Sequence, residues 1–285
     1  MTEPSFGTLR DWLLRFAPRE QRTAIAAVFE IEAGVLESLR AGVLHEVAHA
    51  RLEWWQQELE RLAHAEPRHP AARRLDTEAR AIGASPPELR GLLDYARVEL
   101  AGAGFMTREE LDAHARHWAL SVFRAVALAD AATVGGETRA AAERLASEAG
   151  PALRELEWLD SFSRDARRGR VHWPLGDPPS DHTPWTARPL GARELDALRE
   201  RRKEVCGTLI AAAHRPQAAL RPALRVALLW IALAVAEARG DADAFDDDAR
   251  RRARQAGPWR LTMRAWRAAF ALSRQRMPEA LERHP

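Results

Sequence analysis

Cysteine and lysine are almost missing from this chain of 285 residues, which holds one of each, Cys206 and Lys203. A single cysteine excludes an internal disulfide and fits a reducing compartment. The missing lysine means that the positive charge is carried by arginine. Together with the many alanines, this has the look of GC-rich coding bias, so arginine abundance alone is no argument for phosphate binding. Charge of one sign is also lacking. The net charge is +2, and the pI of 9.2 reflects that near balance tipped by arginine. No global field therefore exists to draw in nucleic acid. Long apolar runs are absent too. The longest, "VALLWIALAVA" from Val226 to Ala236, falls well short of the roughly 20 residues that span a bilayer, and reads as a buried helix. The N-terminal "MTEPSFGTLRDWLLRFAPRE" has early acids and no apolar core of the signal-peptide kind. These absences predict a soluble, cytoplasmic protein with at most peripheral membrane contact. Alternating strand patterns, a G-x-S-x-G nucleophile turn and a glycine-rich phosphate loop are missing as well.

What is present is apolar content, 46% of the residues, arranged with helical spacing. Leu9, Trp12, Leu13 and Phe16 fall at i, i+3, i+4 and i+7. Pro18 favours a new helix near Arg19, carrying Ile25, Val28, Phe29, Ile31, Val35 and Leu36 inward, and Gly42 breaks it. A third helix is predicted over 43–64 with Val47, Leu52, Trp55, Leu59 and Leu62 inward. Others follow over 70–82, 86–101, 107–134, 138–163, 192–213, 217–239 and 258–275. Ser85 and Thr107 are predicted N-caps, each with Glu three residues on. Between Arg170 and Gly191, "RVHWPLGDPPSDHTPWTARPLG" holds five prolines and no periodicity, so it reads as a long loop. The pattern predicts an all-α fold, a single domain over 1–285 of about ten helices.

The most conspicuous chemical motif is "HEVAH", the H-E-x-x-H of zinc proteases. His45 and His49 share a helix face, with Glu46 placed as a base. A third ligand is not marked. The extended form needs Gly and His at positions that hold Leu52 and Trp55, and Glu78 has no supporting context. We therefore reject His45, Glu46 and His49 as a zinc site and expect an exposed or cavity-rim helix face. The aspartates at 241, 243, 246, 247 and 248 lack the glycine and glutamate of a calcium loop and read as a helix-capping acidic loop. Cys206 sits in a helical pattern and reads as a small core residue.

Two stretches point elsewhere. "DARRGRVHWPL" ends a helix in arginines and leaves it through an aromatic and a proline, and "RLEWWQQELERLAHAEPRHPAARRL" (Arg51 to Leu75) joins a tryptophan pair to a proline–histidine–proline turn. Together they resemble the squalene/phytoene synthase family. "RHWALSVFRAVALA" (Arg116 to Ala129) resembles its central helix, and "PWRLTMRAWRAAF" its C-terminal helix. The resemblance implies an isoprenoid-synthase-like helical bundle around a central cavity, in which two acidic motifs hold Mg²⁺ across from each other. It makes Phe29, Trp55, Trp118, Ser121 and Val122 candidates for lining that cavity, and at His45, Glu46 and His49 it implies no zinc site.

The acids themselves depart from the family pattern. The first motif falls in "AVFEIEAGVLESL" (Ala27 to Leu39), its two aspartates landing near Gly34 and Ser38 and leaving Glu30, Glu32 and Glu37 nearby. In the second, aligned on Asp165, the earlier aspartate becomes Ser161 and the adjacent acid becomes Arg164. Asp160 and Asp165 lie five apart, about 140° around a helix, and should diverge. The candidate diphosphate or Mg²⁺ region is thus Glu30, Glu37, Asp160, Asp165 and Arg168, with no confident catalytic residue. A degenerate branch of the family, similar to the phytoene-synthase-like mitochondrial complex I assembly factor, shows such erosion. The expectation is a non-catalytic protein without a cofactor, binding an isoprenoid or other lipid or a partner protein, and no nucleic acid. The alternative is an active head-to-head prenyl transferase using Mg²⁺ and substitute acids.

Overall fold

The computed structural model describes residues 9–40, 42–81, 86–102, 105, 107–131, 135–166, 172, 191–240 and 258–282. The described residues form eleven α-helical segments and no strand: α1 (Leu9–Phe16), α2 (Arg19–Glu37), α3 (His45–Ala63), α4 (Pro70–Ala81), α5 (Gly91–Ala101), α6 (Arg108–Trp118), α7 (Arg124–Ala131), α8 (Gly136–Ala166), α9 (Ala192–His214), α10 (Arg225–Gly240) and α11 (Pro258–Ser273). The π-turn Ala119–Phe123 joins α6 to α7, so the separate rods number ten.

α10 is the centre of the bundle. Val226 to Val235 is buried on every side, against α1, α7, α8, α9 and α11. The stretch Ala218–Arg239, counted with the preceding 3₁₀ turn, is long and apolar enough to cross a membrane, yet 61% of its most apolar 18-residue window is buried inside the protein. A helix apolar all round belongs in such a core. α8 is the longest rod and runs past α6, α7 and α9. Close approach is possible because Gly150 has no Cβ; one added there would stand 2.7 Å from the Ala119 Cβ of the π-turn. Glu155 ties the neighbours together. Its buried carboxylate accepts from Arg108 of α6 and from Arg201 Nε of α9 at 2.8 Å.

Four local expectations change. α5 starts at Gly91 rather than at 86: Pro87 disfavours helical geometry at Pro86, and residues 86–90 form a non-helical approach that ends in a turn; the proposed cap Ser85 lies outside the described residues. The 107–134 rod carries the π-turn. The 217–239 helix begins as a 3₁₀ turn holding Pro222. Val47 faces solvent, and Ala48 takes the inward position. Thr107 does cap α6, in a full capping box with Glu110. Cys206 is buried, and burial pushes its thiol up to about 11, which suits packing rather than nucleophilic chemistry.

The tryptophan pair and the proline–histidine turn form one structural unit. Glu58, buried on α3, accepts from the backbone N–H groups of Arg68 (2.7 Å) and His69 (2.6 Å) with one oxygen. The other accepts from Arg61 Nε and Nη2 at 2.9 and 2.8 Å. Burial opposes its ionisation, but these donors win and hold the carboxyl below its ordinary range. His69 packs on Trp55 at 4.8 Å, and Trp55 in turn lies against Gly34 of α2. The stretch thus fastens the start of α4 and the flank of α2 to α3.

Candidate functional site

A cavity of about 940 Å³ opens between the C-terminal halves of α2 and α8, with α1, α5 and α10 completing its wall. That lies at the upper end of the range for ligand pockets. α2 presents Ala33, Leu36, Glu37 and Arg40 to it, and α8 presents Glu157, Asp160, Ser161 and Asp165. Gly34 and Ser38, where the family's first acidic pair was aligned, point elsewhere. A Cβ on Gly34 would stand 2.3 Å from the Trp55 ring, and Ser38 is buried in the core. The cavity-facing i, i+4 pair on α2 is therefore Ala33 and Glu37, one residue earlier than the alignment. On α8 the corresponding pair is Ser161 and Asp165. Each of these two pairs carries one acid of a possible two, and α8 adds Glu157 and Asp160 to the wall.

The predicted acids separate accordingly. Glu37, Asp160 and Asp165 line the same cavity. Asp160 and Asp165 both reach it despite their angular offset, because α8 forms a broad part of its wall. Glu30 lies on the other side of α2, exposed and paired with Arg74 of α4. Arg168 lies outside the described residues. These three predicted acids, which share the wall with Glu99, Glu157 and Glu237, all have partners. Arg40 meets Glu37 at 3.0 Å and Arg202 of α9 meets Asp160 at 2.8 Å, while Ser161 donates to Asp165. Among the described residues, no three acids, histidines or cysteines come together as a metal-binding group.

Phe29, Trp55, Trp118, Ser121 and Val122 are all buried, and none belongs to the cavity wall. Phe29 packs edge-on against Trp230 at 5.3 Å. Trp55 covers Gly34. Ser121 sits under Gly91 at the start of α5. Trp118 lies behind the wall and donates from Nε1 to Glu32 at 2.7 Å. His45 and His49 are exposed, their Nε2 atoms 2.9 Å apart, and among the described residues no third ligand joins them. The acidic run at 241–248 lies outside the described residues.

The wall also contains charged groups that no motif or spacing marks. Arg154 is largely buried in the cavity wall, with its guanidinium 4.9 Å over Tyr95, 5.2 Å over Trp118 and 5.5 Å over Trp158. It donates to Glu157 at 2.5 Å and to the Tyr95 hydroxyl. Burial works against this cation, but Tyr95, Glu157 and Glu32 outweigh it and keep the guanidinium charged. Tyr95 is fixed as a neutral phenol, since burial raises its pKa beyond any physiological pH. Glu32 lies deeper, paired with Arg10 at 2.8 Å, and burial raises its carboxyl above the ordinary range.

Beside them, Glu99 accepts from the Nε2 atoms of His114 and His172, both at 2.9 Å. Burial disfavours its charge, but the two histidines prevail and hold it low. His114 is itself kept neutral, chiefly by burial. Its ring lies parallel to those of Tyr95 (4.4 Å) and Trp158 (5.5 Å), and among the described residues its Nδ1 has no hydrogen-bond partner. The i, i+3 pair Arg154–Glu157 is the only one of these contacts with a local sequence signal. Glu99 meets His172 across 73 positions, which no periodicity anticipates.

A family model described as squalene/phytoene synthase matches residues 10–267, nearly the whole chain. No curated protein matches it.

Proposed function

The chain belongs to the squalene/phytoene synthase family, and from that premise we propose that it holds an isoprenoid or other lipid in the α2–α8 cavity without transferring prenyl groups. One observation carries this reading. Ala33 and Ser161 occupy the cavity positions where acidic partners for Glu37 and Asp165 would stand. Head-to-head prenyl transfer releases diphosphate, whose developing charge needs several metal ions or strong cations. Mg²⁺ takes oxygen ligands in near-octahedral geometry. The wall's carboxylates are already engaged, Glu37 by Arg40, Asp160 by Arg202, Asp165 by Ser161, Glu157 by Arg154 and Glu99 by His114 and His172, and make a poor donor set for it. A wall that joins apolar Leu36, Trp158 and Trp230 to Arg10 and Arg40 suits an amphiphile. The same reading makes the protein cytoplasmic with peripheral membrane contact. A partner-binding or assembly role, as in the degenerate branch of the family, is compatible with it.

Binding of farnesyl diphosphate to the pure protein, followed calorimetrically with Mg²⁺ and then with EDTA, tests the proposal. Equal affinity in both conditions is expected. Binding seen only with Mg²⁺ overturns it in favour of a second reading, an active head-to-head prenyl transferase. That reading draws on the placement of Glu37, Asp160 and Asp165 on one cavity, and it expects Asp165→Ala to abolish the Mg²⁺-dependent binding.

A further inference from the structure

α11 turns an apolar stripe toward solvent. Met263, Trp266 and Phe270 are 37%, 51% and 45% exposed, at i, i+3 and i+7, so all three lie within about 60° of one helix face. The opposite face, Ala265, Ala268, Ala269 and Leu272, is buried against the bundle. The outward aromatic rings are ordered against each other. Trp266 and Phe270 stack at 5.5 Å and 11°, and the Arg274 guanidinium lies 4.3 Å over Phe270. Between Pro258 and Pro278 the sequence holds five arginines, at 260, 264, 267, 274 and 276, and no acid. Arg267 falls about 40° from Met263 around the helix, at the edge of the stripe.

We propose that this face of α11 docks on the surface of an anionic lipid bilayer, with Met263, Trp266 and Phe270 entering the headgroup–acyl boundary and Arg267 and Arg274 meeting the phosphates. An amphipathic helix lying in the interface needs this combination, apolar area for burial and cations for the negative surface. Trp and Phe beside arginine stems are suited to that depth. The other exposed apolar stripe supplies the contrast. Leu44, at the cap of α3, and Val47 and Trp54, on it, have the exposed Arg51 among them but also Glu46 and Glu53 farther round the same helix, whereas the α11 stretch carries arginines and no acid. Charge complementarity thus selects α11 and selects lipid of negative charge.

The proposal stands apart from the cavity, so vesicle binding and prenyl chemistry are read separately. The full chain is sedimented with phosphatidylcholine vesicles that contain none, or about one third, of phosphatidylglycerol. It is expected to pellet with the anionic vesicles only, and to be released as salt is raised from about 0.1 to about 0.5 M. Arg267→Glu with Arg274→Glu should weaken binding by at least about tenfold, the effect of losing two arginine contacts. Trp266→Ser with Phe270→Ser should do the same with an unchanged helical circular dichroism spectrum, since both side chains are exposed. The proposal is overturned by failure of the wild type to pellet with anionic vesicles, or by both double variants pelleting like it. Loss of a dimer in the Ser variant, with vesicle binding intact, would assign the stripe to a second copy of the chain instead.

Discussion

Two acidic positions on neighbouring helices have opposite circumstances. Glu58 on α3 is buried and answered by two backbone N–H groups and a bidentate arginine. Glu37 on α2 stands on an open cavity with one exposed arginine partner. The first belongs to the stretch that most resembles the family, and the second to a stretch where the family's acids have gone. On the proposed reading, the contrast teaches that resemblance survives where a residue holds the chain together and fades where a residue would only serve chemistry. On that reading, a family signature can be strong in a protein that has lost the family's reaction.

The largest effect should come from breaking the clamp. Glu58→Ala strands two backbone donors and Arg61, and should cost about 3 kcal/mol in urea unfolding. The sign of its pH dependence follows from the lowered carboxyl. The contribution is full above the unfolded value near 4.5 and is lost as pH falls through the folded value. The gap in stability between wild type and Glu58→Gln should therefore close below about pH 4.5, as followed by denaturant midpoints. Gly34→Ala comes next. Its new Cβ must displace the Trp55 ring, an overpacking expected to cost about 1–3 kcal/mol, measured the same way.

The cavity side should respond in binding rather than stability. Ala33→Asp with Ser161→Asp rebuilds an i, i+4 acid pair on each helix. It should confer at least about tenfold stronger farnesyl diphosphate binding with Mg²⁺ than without, or about 1.4 kcal/mol, by calorimetry. The smallest effect is expected from Glu37→Gln and Asp165→Asn, which should shift the unfolding midpoint by the equivalent of about 0.5 kcal/mol or less. A larger loss would mean that these acids too are structural, and would blur the contrast with Glu58.

Much of the fold was legible because helices announce themselves at short range. Leu9, Trp12, Leu13 and Phe16 repeat with the helical period, and Thr107 and Glu110 form the cap that their spacing implies. The π-turn at Ala119–Phe123 has no such mark. It arises where Gly91 and Gly150 let two other helices press on the rod. Three of the acids that the family pattern suggests, Glu37, Asp160 and Asp165, share one cavity wall. The cavity-facing pair on α2 stands one residue before Gly34 and Ser38, because whether 33 or 34 faces the cavity depends on the position of Trp55, on another helix. Arg154, Glu99 and His172 could not be foreseen, since burial and contacts 59 to 73 positions apart create their roles.

The central claim is that this family scaffold has kept its cavity and lost its chemistry. Incubating the pure protein with Mg²⁺ and radiolabelled farnesyl or geranylgeranyl diphosphate, then separating the products, tests it most directly. The account predicts that the substrate is recovered intact. Mg²⁺-dependent consumption with release of diphosphate would contradict it.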